Sequence, residues 1–147
     1  MNTTIKDCKI IPLDRHHSDR QGDLSVVEGL NGIPFPIRRI YYLYDIPGGA
    51  TRGGHAHKNL YQILVAASGS FTVVLDDGTH RQSVTLNQPD QALLIVPGIW
   101  RELENFSSGS VCLCIASEKY DESDYLRDYD NFLLFRNHTI TNMSSND

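Results

Sequence analysis

The sequence predicts one all-β domain, built as an antiparallel sandwich or barrel, and three observations support this. Segments rich in branched and aromatic residues recur roughly every 8–12 residues, as they do in sandwiches and barrels. Turns that contain glycine or proline separate these segments, and only the C-terminal tail departs from the pattern. The chain has 147 residues, of which 40% are hydrophobic, and this suits a single globular domain spanning residues 1–147.

Six segments between residues 37 and 117 are the strongest strand predictions. They are Ile37–Ile46, Leu60–Ala67, Phe71–Leu75, His80–Leu86, Ala92–Val96 and Ser110–Ser117. Asp77-Gly78 predicts a hairpin turn between the third and fourth segments, because Asp-Gly accepts the positive φ angles of such turns. In the tail, Glu122–Phe135 places aromatic and apolar residues at helical spacing. This predicts a short helix or an extended arm that covers one end of the barrel.

The charge balance argues against a nucleic-acid-binding protein. Thirteen Lys and Arg stand against eighteen Asp and Glu, which gives a net charge of −5, whereas nucleic-acid binders usually carry a basic excess. No run reaches the roughly 18 apolar residues that a membrane helix needs, and the N-terminus lacks the apolar core of a signal peptide. We therefore expect a cytoplasmic protein with neither a nucleic-acid nor a membrane partner.

The most informative stretch is residues 52–58, RGGHAHK. Residues two apart in a strand share a face, so His55 and His57 project together into whatever that face bounds. Two imidazoles, each with an ordinary pKa of about 6.5, suit either metal binding or proton transfer. The neighbouring Gly53 and Gly54 let a ligand approach the backbone closely.

The spacing around this pair resembles the first sequence motif of the cupin superfamily. The motif runs from Gly49 through the two histidines to Gln62 and Gly69, and residues 97–105, PGIWRELEN, resemble the second cupin motif. The resemblance implies a double-stranded β-helix, also called a jelly-roll barrel, followed by the short C-terminal helix or arm.

Two departures from the cupin pattern argue against a bound metal. Metal-binding cupins carry a glutamate ligand where this chain has Gln62, and a histidine ligand where it has Arg101. A guanidinium offers no lone pair and would repel a divalent cation, and two histidines fall short of the three protein ligands usual at a catalytic zinc. We therefore expect neither a metal nor another cofactor.

A closer resemblance runs from about Gly22 to Phe132. Five segments carry it, namely IPFPIRRIYYLYDIP, RGGHAHK, LDDG, VPGIWREL and ASEKYDESDYLRDYDNF. Together they resemble the sugar 3,4-ketoisomerases that act on thymidine-diphosphate (TDP) 4-keto-6-deoxyglucose. The resemblance implies a metal-independent homodimer whose partner is a TDP-linked 4-keto sugar. It also implies a place in deoxyamino-sugar biosynthesis, such as that of lipopolysaccharide O-antigens, where the product goes to an aminotransferase.

The two histidines suit this chemistry on their own terms. Moving a ketone from C4 to C3 requires a base that takes the C3 proton, an enediolate, and reprotonation at C4. One imidazole would move the carbon protons, and the other would shuttle a proton between O3 and O4. Spacing does not assign these roles, and we favour His57 at carbon and His55 at oxygen.

Three further residues are candidates for stabilising the negative charge of the enediolate. Arg101 would do so from the position of the missing metal ligand, and Tyr41 or Tyr42 would donate a phenol hydrogen bond. An ion pair between Arg101 and a neighbouring glutamate outside the barrel is the alternative for that residue.

The nucleotide half of such a substrate carries two phosphates, which arginine binds well through its forked donors. One candidate is Arg39, which lies on the same predicted strand as Tyr41 and Tyr42. The other is Arg52, at the rim of the site beside the histidine motif. Gln62 faces inward, and two interpretations remain open for it: it hydrogen-bonds to one histidine and so fixes the tautomer of that ring, or it only satisfies its own polar groups within the core.

Three other functions are compatible with a cupin barrel: a metal-dependent enzyme such as a dioxygenase, a nucleotide-sugar epimerase, and a non-catalytic sugar-binding protein. A 3,5-epimerase needs its acid and its base on opposite faces of the sugar ring, whereas His55 and His57 project from one face. Paired imidazoles in a cavity are unusual for binding alone. The sequence therefore favours the isomerase.

Overall fold

A computed structural model describes the backbone of residues 1–144 and the side chains of residues 1–137. Five short strands come first: β1 (Ile10–Pro12), β2 (Asp14–Ser18), β3 (Gly22–Val26), β4 (Glu28–Gly29) and β5 (Gly32–Ile33). The body follows with β6 (Arg39–Leu43), β7 (Arg52–His57), β8 (Gln62–Ser68), β9 (Phe71–Asp76), β10 (Arg81–Leu86), β11 (Gln91–Ile95), β12 (Trp100–Glu104) and β13 (Val111–Ala116). The tail adds β14 (Tyr125–Leu126) and α1 (Tyr129–Ser144).

Two five-stranded antiparallel sheets form the body of the protein. One has the order β1-β11-β8-β13-β6, and the other has the order β10-β9-β12-β7-β14. The main hydrophobic core lies between them, because side chains of the first sheet, such as Leu64 and Leu93, cluster with Phe71 and Leu103 of the second. The all-β jelly-roll prediction is thereby confirmed.

All six predicted strands form, with shifted ends. The first shortens to Arg39–Leu43, because Pro36 precedes it closely and Asp45 adopts a positive φ of 54° after it. The predicted hairpin joins β9 to β10: Gly78 has φ of 89°, and the carboxylate of Asp77 accepts the N–H groups of the turn. Strands β2 and β3 were not predicted, because their residues are largely exposed and show no buried face.

The tail contains both a short strand and a helix. Strand β14 pairs with β7, in the register Tyr125 opposite His57, and thereby extends the second sheet. Helix α1 then packs its fully buried Phe132 against Trp100 and Ala56. Both lie on the outer face of the second sheet, because they alternate along their strands with residues that face the interior. The tail therefore forms both a helix and an extended arm, and the arm runs beside the histidine strand. Within residues 1–144, no helix is long and apolar enough to cross a membrane.

Candidate active site

A cavity of about 330 Å³ opens at the end of the barrel where the two histidines lie. Strands of both sheets and the tail line it. The lining residues are Arg39, Tyr41, Leu43, Arg52, Gly53, His55, Gln62, Leu64, Arg101, Leu103, Cys114, Tyr120, Tyr125 and Arg127. Six of the eight predicted site residues are therefore in its wall, a seventh (His57) lies directly behind it, and one is elsewhere.

His55 and His57 lie side by side on β7, as the spacing predicted. Their Nε2 atoms are 3.2 Å apart, and their rings are nearly perpendicular. Nδ1 of His55 donates to the carbonyl oxygen of Gly53 at 2.7 Å. Gly53 has φ of 93°, and a Cβ there would meet the carbonyl oxygen of Arg101 at 3.0 Å, so this bend requires glycine. His55 contributes to the cavity wall, whereas His57 has no exposed surface.

The carboxyl of Asp124 contacts His57 at the ring nitrogen that does not face His55. Nδ1 of His57 and Oδ2 of Asp124 are 3.0 Å apart, and Oδ1 of the same carboxyl accepts the backbone N–H of Asn59 at 2.7 Å. The Lys58 N–H also donates to the Asp124 carbonyl oxygen at 2.9 Å. The ring of Tyr125 packs against His57, with 4.4 Å between the ring centres. The pairing of β14 with β7 brings both tail residues to this position.

Arg101 lies inside the barrel and is only 1% exposed. Its Nη1 donates to Oε1 of Gln62 at 2.8 Å, and its Nε and Nη2 donate to the Ile99 carbonyl oxygen at 3.2 and 3.1 Å. These acceptors are neutral, so the alternative of an ion pair outside the barrel is wrong. Nε2 of Gln62 donates to the Tyr41 hydroxyl at 2.6 Å. The interpretation in which Gln62 contacts a histidine is therefore wrong, because its amide already bridges Arg101 and Tyr41.

Burial sets the protonation of the site. Together with the positive charge of Arg101, it lowers the pKa of His55 to about 3. The same two causes lower the pKa of His57, while burial raises the pKa of Tyr41 above its usual range. Burial also raises the pKa of the Asp124 carboxyl. At neutral pH the site thus holds two uncharged imidazoles, of which His55 lies in the cavity wall, beside a buried cation.

A second, outer cavity of about 670 Å³ adjoins the first. Arg39 and Tyr125 belong to the walls of both. The outer wall is of mixed charge, because it also contains the basic Arg38 and Lys119 and three acidic residues, Glu118, Asp121 and Asp124. The Nε of Arg39 is buried and lacks a hydrogen-bond partner within the described residues, while its Nη2 donates to the Tyr125 hydroxyl at 3.3 Å. Arg52 is exposed at the rim of the inner cavity.

Tyr42 is the predicted residue that the structure does not bring to the cavity. Its side chain is 60% exposed and packs against Tyr44 on the outside of β6. Alternation along the strand explains this, since Arg39 and Tyr41 take the inward positions and leave Tyr42 outward. Of the two tyrosines considered, only Tyr41 lines the site.

Sequence reasoning missed the contribution of the tail to this site. Asp124 and Tyr125 contact His57, and Arg127 lines the inner cavity with its guanidinium 4.2 Å from the centre of the Tyr125 ring. Nε and Nη2 of Arg127 also donate to the Glu122 carboxylate at 2.6 and 2.9 Å. The available signal was the density of acidic and aromatic residues in YDESDYLRDYDNF, which we assigned to covering the barrel end.

The residues present do not fit a cupin metal centre. Within the described residues, no group of three His, Cys, Asp or Glu side chains is placed to hold a metal ion. The guanidinium of Arg101 occupies the interior beside the neutral Gln62, and the Nδ1 atoms of both histidines are already bonded to protein oxygens. A cation at this position would face positive charge without a carboxylate ligand.

Fold and site together define a class: a cupin-fold protein whose site combines two histidines with a glutamine and an arginine where metal-binding cupins carry four ligands. Residues 6–137 match the family model described as "FdtA: WxcM-like, C-terminal". A TDP-4-oxo-6-deoxy-alpha-D-glucose-3,4-oxoisomerase from Aneurinibacillus thermoaerophilus is 47% identical over 114 residues, which are 78% of this chain and 82% of the relative. The chain therefore belongs to this family of sugar 3,4-ketoisomerases, and the resemblance noted in the sequence is confirmed.

Solved structures agree with this assignment. A 3,4-ketoisomerase from Helicobacter canadensis superposes with a TM-score of 0.86 at 46% identity, over 89% of this chain and 98% of that chain. A sugar 3,4-ketoisomerase from Thermoanaerobacterium thermosaccharolyticum, solved in complex with TDP, superposes with a TM-score of 0.89 at 36% identity, over 92% and 98% of the two chains.

Proposed function

We propose that this chain converts TDP-4-keto-6-deoxyglucose into a TDP-3-keto-6-deoxyhexose by proton transfer through its two histidines. A variant of the T. thermosaccharolyticum enzyme has been solved with TDP-4-keto-6-deoxyglucose, which supports this substrate. The observation that carries the proposal is the pair of neutral imidazoles, 3.2 Å apart, beside a fully buried arginine. Ketone transposition needs a base, a proton shuttle and a cation in one small space, and the cavity supplies them.

The sugar occupies the inner cavity and the nucleotide extends into the outer one. Arg39 lies between the two and has a buried Nε to which none of the side chains described, residues 1–137, offers a hydrogen bond, which supports a role in binding the pyrophosphate. Arg52 lies at the rim of the inner cavity and does not line the outer one, so it faces the sugar rather than the nucleotide. A buried donor that gains an anionic acceptor contributes more to binding than one that is already bonded to protein.

The geometry favours a division of labour opposite to the one that we favoured from the sequence. His55 lies in the cavity wall, whereas His57 packs against Tyr125 behind the wall and points its Nε2 at Nε2 of His55. His55 therefore moves the proton from C3 to C4. A bound sugar replaces the hydrogen bond between the two rings, so its oxygens become the partners of His57. His57 then transfers protons at O4 and O3, and Arg101 stabilises the charge that develops on these oxygens.

We further propose that the enzyme acts in the cytoplasm as a homodimer and supplies a deoxyamino-sugar pathway, such as that of an O-antigen. A 3-keto sugar is a suitable substrate for an aminotransferase, because an amine can replace its carbonyl oxygen. The edge strand β6 carries exposed Ile40 and Tyr42, and exposed Tyr44 directly follows it. An apolar sheet edge of this kind is usually covered, which supports self-association.

The reaction itself is tested by following the ketone. TDP-4-keto-6-deoxyglucose with ¹³C in the hexose ring is incubated with the protein, in the presence and in the absence of a chelator. The expected spectrum shows the carbonyl carbon moving from C4 to C3 at the same rate in both samples. A carbonyl that stays at C4, or a rate that collapses with chelator, would contradict the proposal.

The lowered pKa of His55 predicts an acid-tolerant enzyme. A base whose pKa lies near 3 stays unprotonated as the pH falls below 6.5, so kcat/KM at pH 5.5 should stay within about twofold of its value at pH 7.5. An imidazole with an ordinary pKa would lose about tenfold over this range. The charged groups that act on His55 are Arg101, Arg127 and Glu122, and the Glu122 pKa is itself lowered by Arg127. A profile with its acid limb near pH 6.5 would refute this, provided that circular dichroism shows a folded protein at pH 5.5.

A further inference from the structure

The hydrogen bonds around the two histidines form one continuous hydrogen-bonded chain. It runs from the Gly53 carbonyl oxygen through His55 and His57 to the Asp124 carboxyl, with separations of 2.7, 3.2 and 3.0 Å. A carbonyl oxygen can only accept, so Nδ1 of His55 carries the proton of the first bond. In the neutral ring, Nε2 of His55 is then left with a lone pair directed at His57.

The remaining two hydrogen bonds determine how many protons the hydrogen-bonded chain holds. The contact between the two Nε2 atoms needs one proton, because two lone pairs at 3.2 Å would repel each other. The contact between His57 and Asp124 needs another. With the proton on His55 this makes three. The two imidazoles and the Asp124 carboxyl are therefore electrically neutral as a set, and they hold one proton more than two neutral imidazoles and an ionised carboxylate would. We call this additional proton the stored proton.

We propose that Asp124 is a positioning residue that stores this proton behind His57, and that it thereby makes His55 the base and His57 the acid. The inference rests on the proposed function. It follows from a carboxyl that is held in place by the Asn59 N–H and lies against a histidine without exposed surface. Burial raises the pKa of this carboxyl and lowers the pKa of the ring, which are the directions that favour the proton on Asp124.

The stored proton balances both halves of the reaction. In the first half, Nε2 of His55 takes the C3 proton, Nε2 of His57 gives its proton to O4, and Nδ1 of His57 takes the proton of Asp124. The substrate becomes a neutral enediol, while His55 gains one positive charge and Asp124 one negative charge. In the second half, His57 takes the O3 proton at Nε2 and returns its Nδ1 proton to Asp124. His55 then protonates C4, which leaves the ketone at C3 and restores the starting protonation.

Asp124→Asn tests the storage of the proton. The amide can still accept from Asn59 and donate to His57, but it cannot release a proton. We expect kcat to fall by about 10²-fold or more, the size of a lost acid–base function, with little change in KM. Asp128→Asn is the matched control, because Asp128 is an exposed carboxylate that caps the helix through Asn131 and contacts neither histidine. A D124N enzyme with wild-type kcat would overturn the proposal.

A second measurement on the wild-type protein does not depend on activity. Long-range ¹H–¹⁵N spectra of the imidazoles, assigned with H55N and H57N variants, should show an unprotonated Nε2 on His55 and a protonated Nε2 on His57. In D124N the His57 Nε2 proton should remain while turnover is lost. Two unprotonated Nε2 atoms in the wild type would refute the stored proton even in an active enzyme. The expected spectrum from an inactive wild type would instead support the stored proton and refute the proposed function.

Discussion

Replacing His55 with asparagine is expected to lower kcat by about 10³-fold or more, because the variant loses the base that moves the carbon proton. His55 is the histidine in the wall of the inner cavity, and its lowered pKa keeps it unprotonated. In heavy water, H55N should neither release product nor exchange the C3 proton of the substrate. Mass spectrometry of the recovered substrate measures this exchange.

The matched variant His57→Asn distinguishes the two histidines. It retains His55, so we expect slow exchange of the C3 proton to continue while the 3-keto product does not form. His80→Asn is the control on an exposed histidine, whose side chain is 73% accessible, and it should leave both rates unchanged. The reverse pattern, with exchange in H55N and none in H57N, would identify His57 as the base that takes the C3 proton, as the sequence analysis favours.

Replacing Arg101 with methionine is expected to lower kcat by about 10²–10³-fold, the usual effect of removing one group that stabilises a developing oxyanion. The guanidinium is buried, and its hydrogen bonds go to neutral oxygens, so its charge is available to the enediolate or enediol oxygens. Methionine keeps an unbranched chain of similar length without the charge. KM should change much less than kcat, because the charge on these oxygens develops only during the reaction.

The Arg101 variant also leaves Gln62 Oε1 and the Ile99 carbonyl oxygen without their donor, which costs about 1–3 kcal/mol for each buried group. Gln62→Met separates this structural effect from the electrostatic one, because it breaks the same Arg101–Gln62 bond and retains the charge. Urea unfolding of both variants measures the structural part. If Q62M lost as much kcat as R101M, or if R101M stayed within threefold of the wild type, Arg101 would have no electrostatic role.

Much of the fold was predictable because strand periodicity and turn residues are local signals. The six predicted strands and the Asp77-Gly78 hairpin depend on alternation and on positive φ angles, which neighbouring residues determine. The N-terminal strands β2 and β3 carry no buried face, so they left no alternation in the sequence. The resemblance to 3,4-ketoisomerases supplied the jelly-roll connections, which periodicity does not specify.

The candidate site was predictable where it lies on one strand and unpredictable where it depends on contacts between strands. His55 and His57 share a face through their spacing, and Arg101 enters the barrel as its motif position indicated. Asp124 meets His57 only because the tail pairs with β7, 67 residues away in sequence. The partner of Gln62 was also a question of packing, because an inward amide bonds to whichever group the opposite strands place beside it.

The proposed mechanism moves a proton from C3 to C4 through His55 and leaves C5 untouched. The most direct test is the ¹H NMR spectrum of TDP-4-keto-6-deoxyglucose turned over by the wild-type protein in heavy water with chelator. We expect a 3-keto product that keeps protium at C5 and carries at C4 the hydrogen that His55 delivers, which is deuterium wherever the imidazolium exchanges with heavy water before it protonates C4. Deuterium at C5, with the ketone still at C4, would contradict this mechanism and indicate an epimerase.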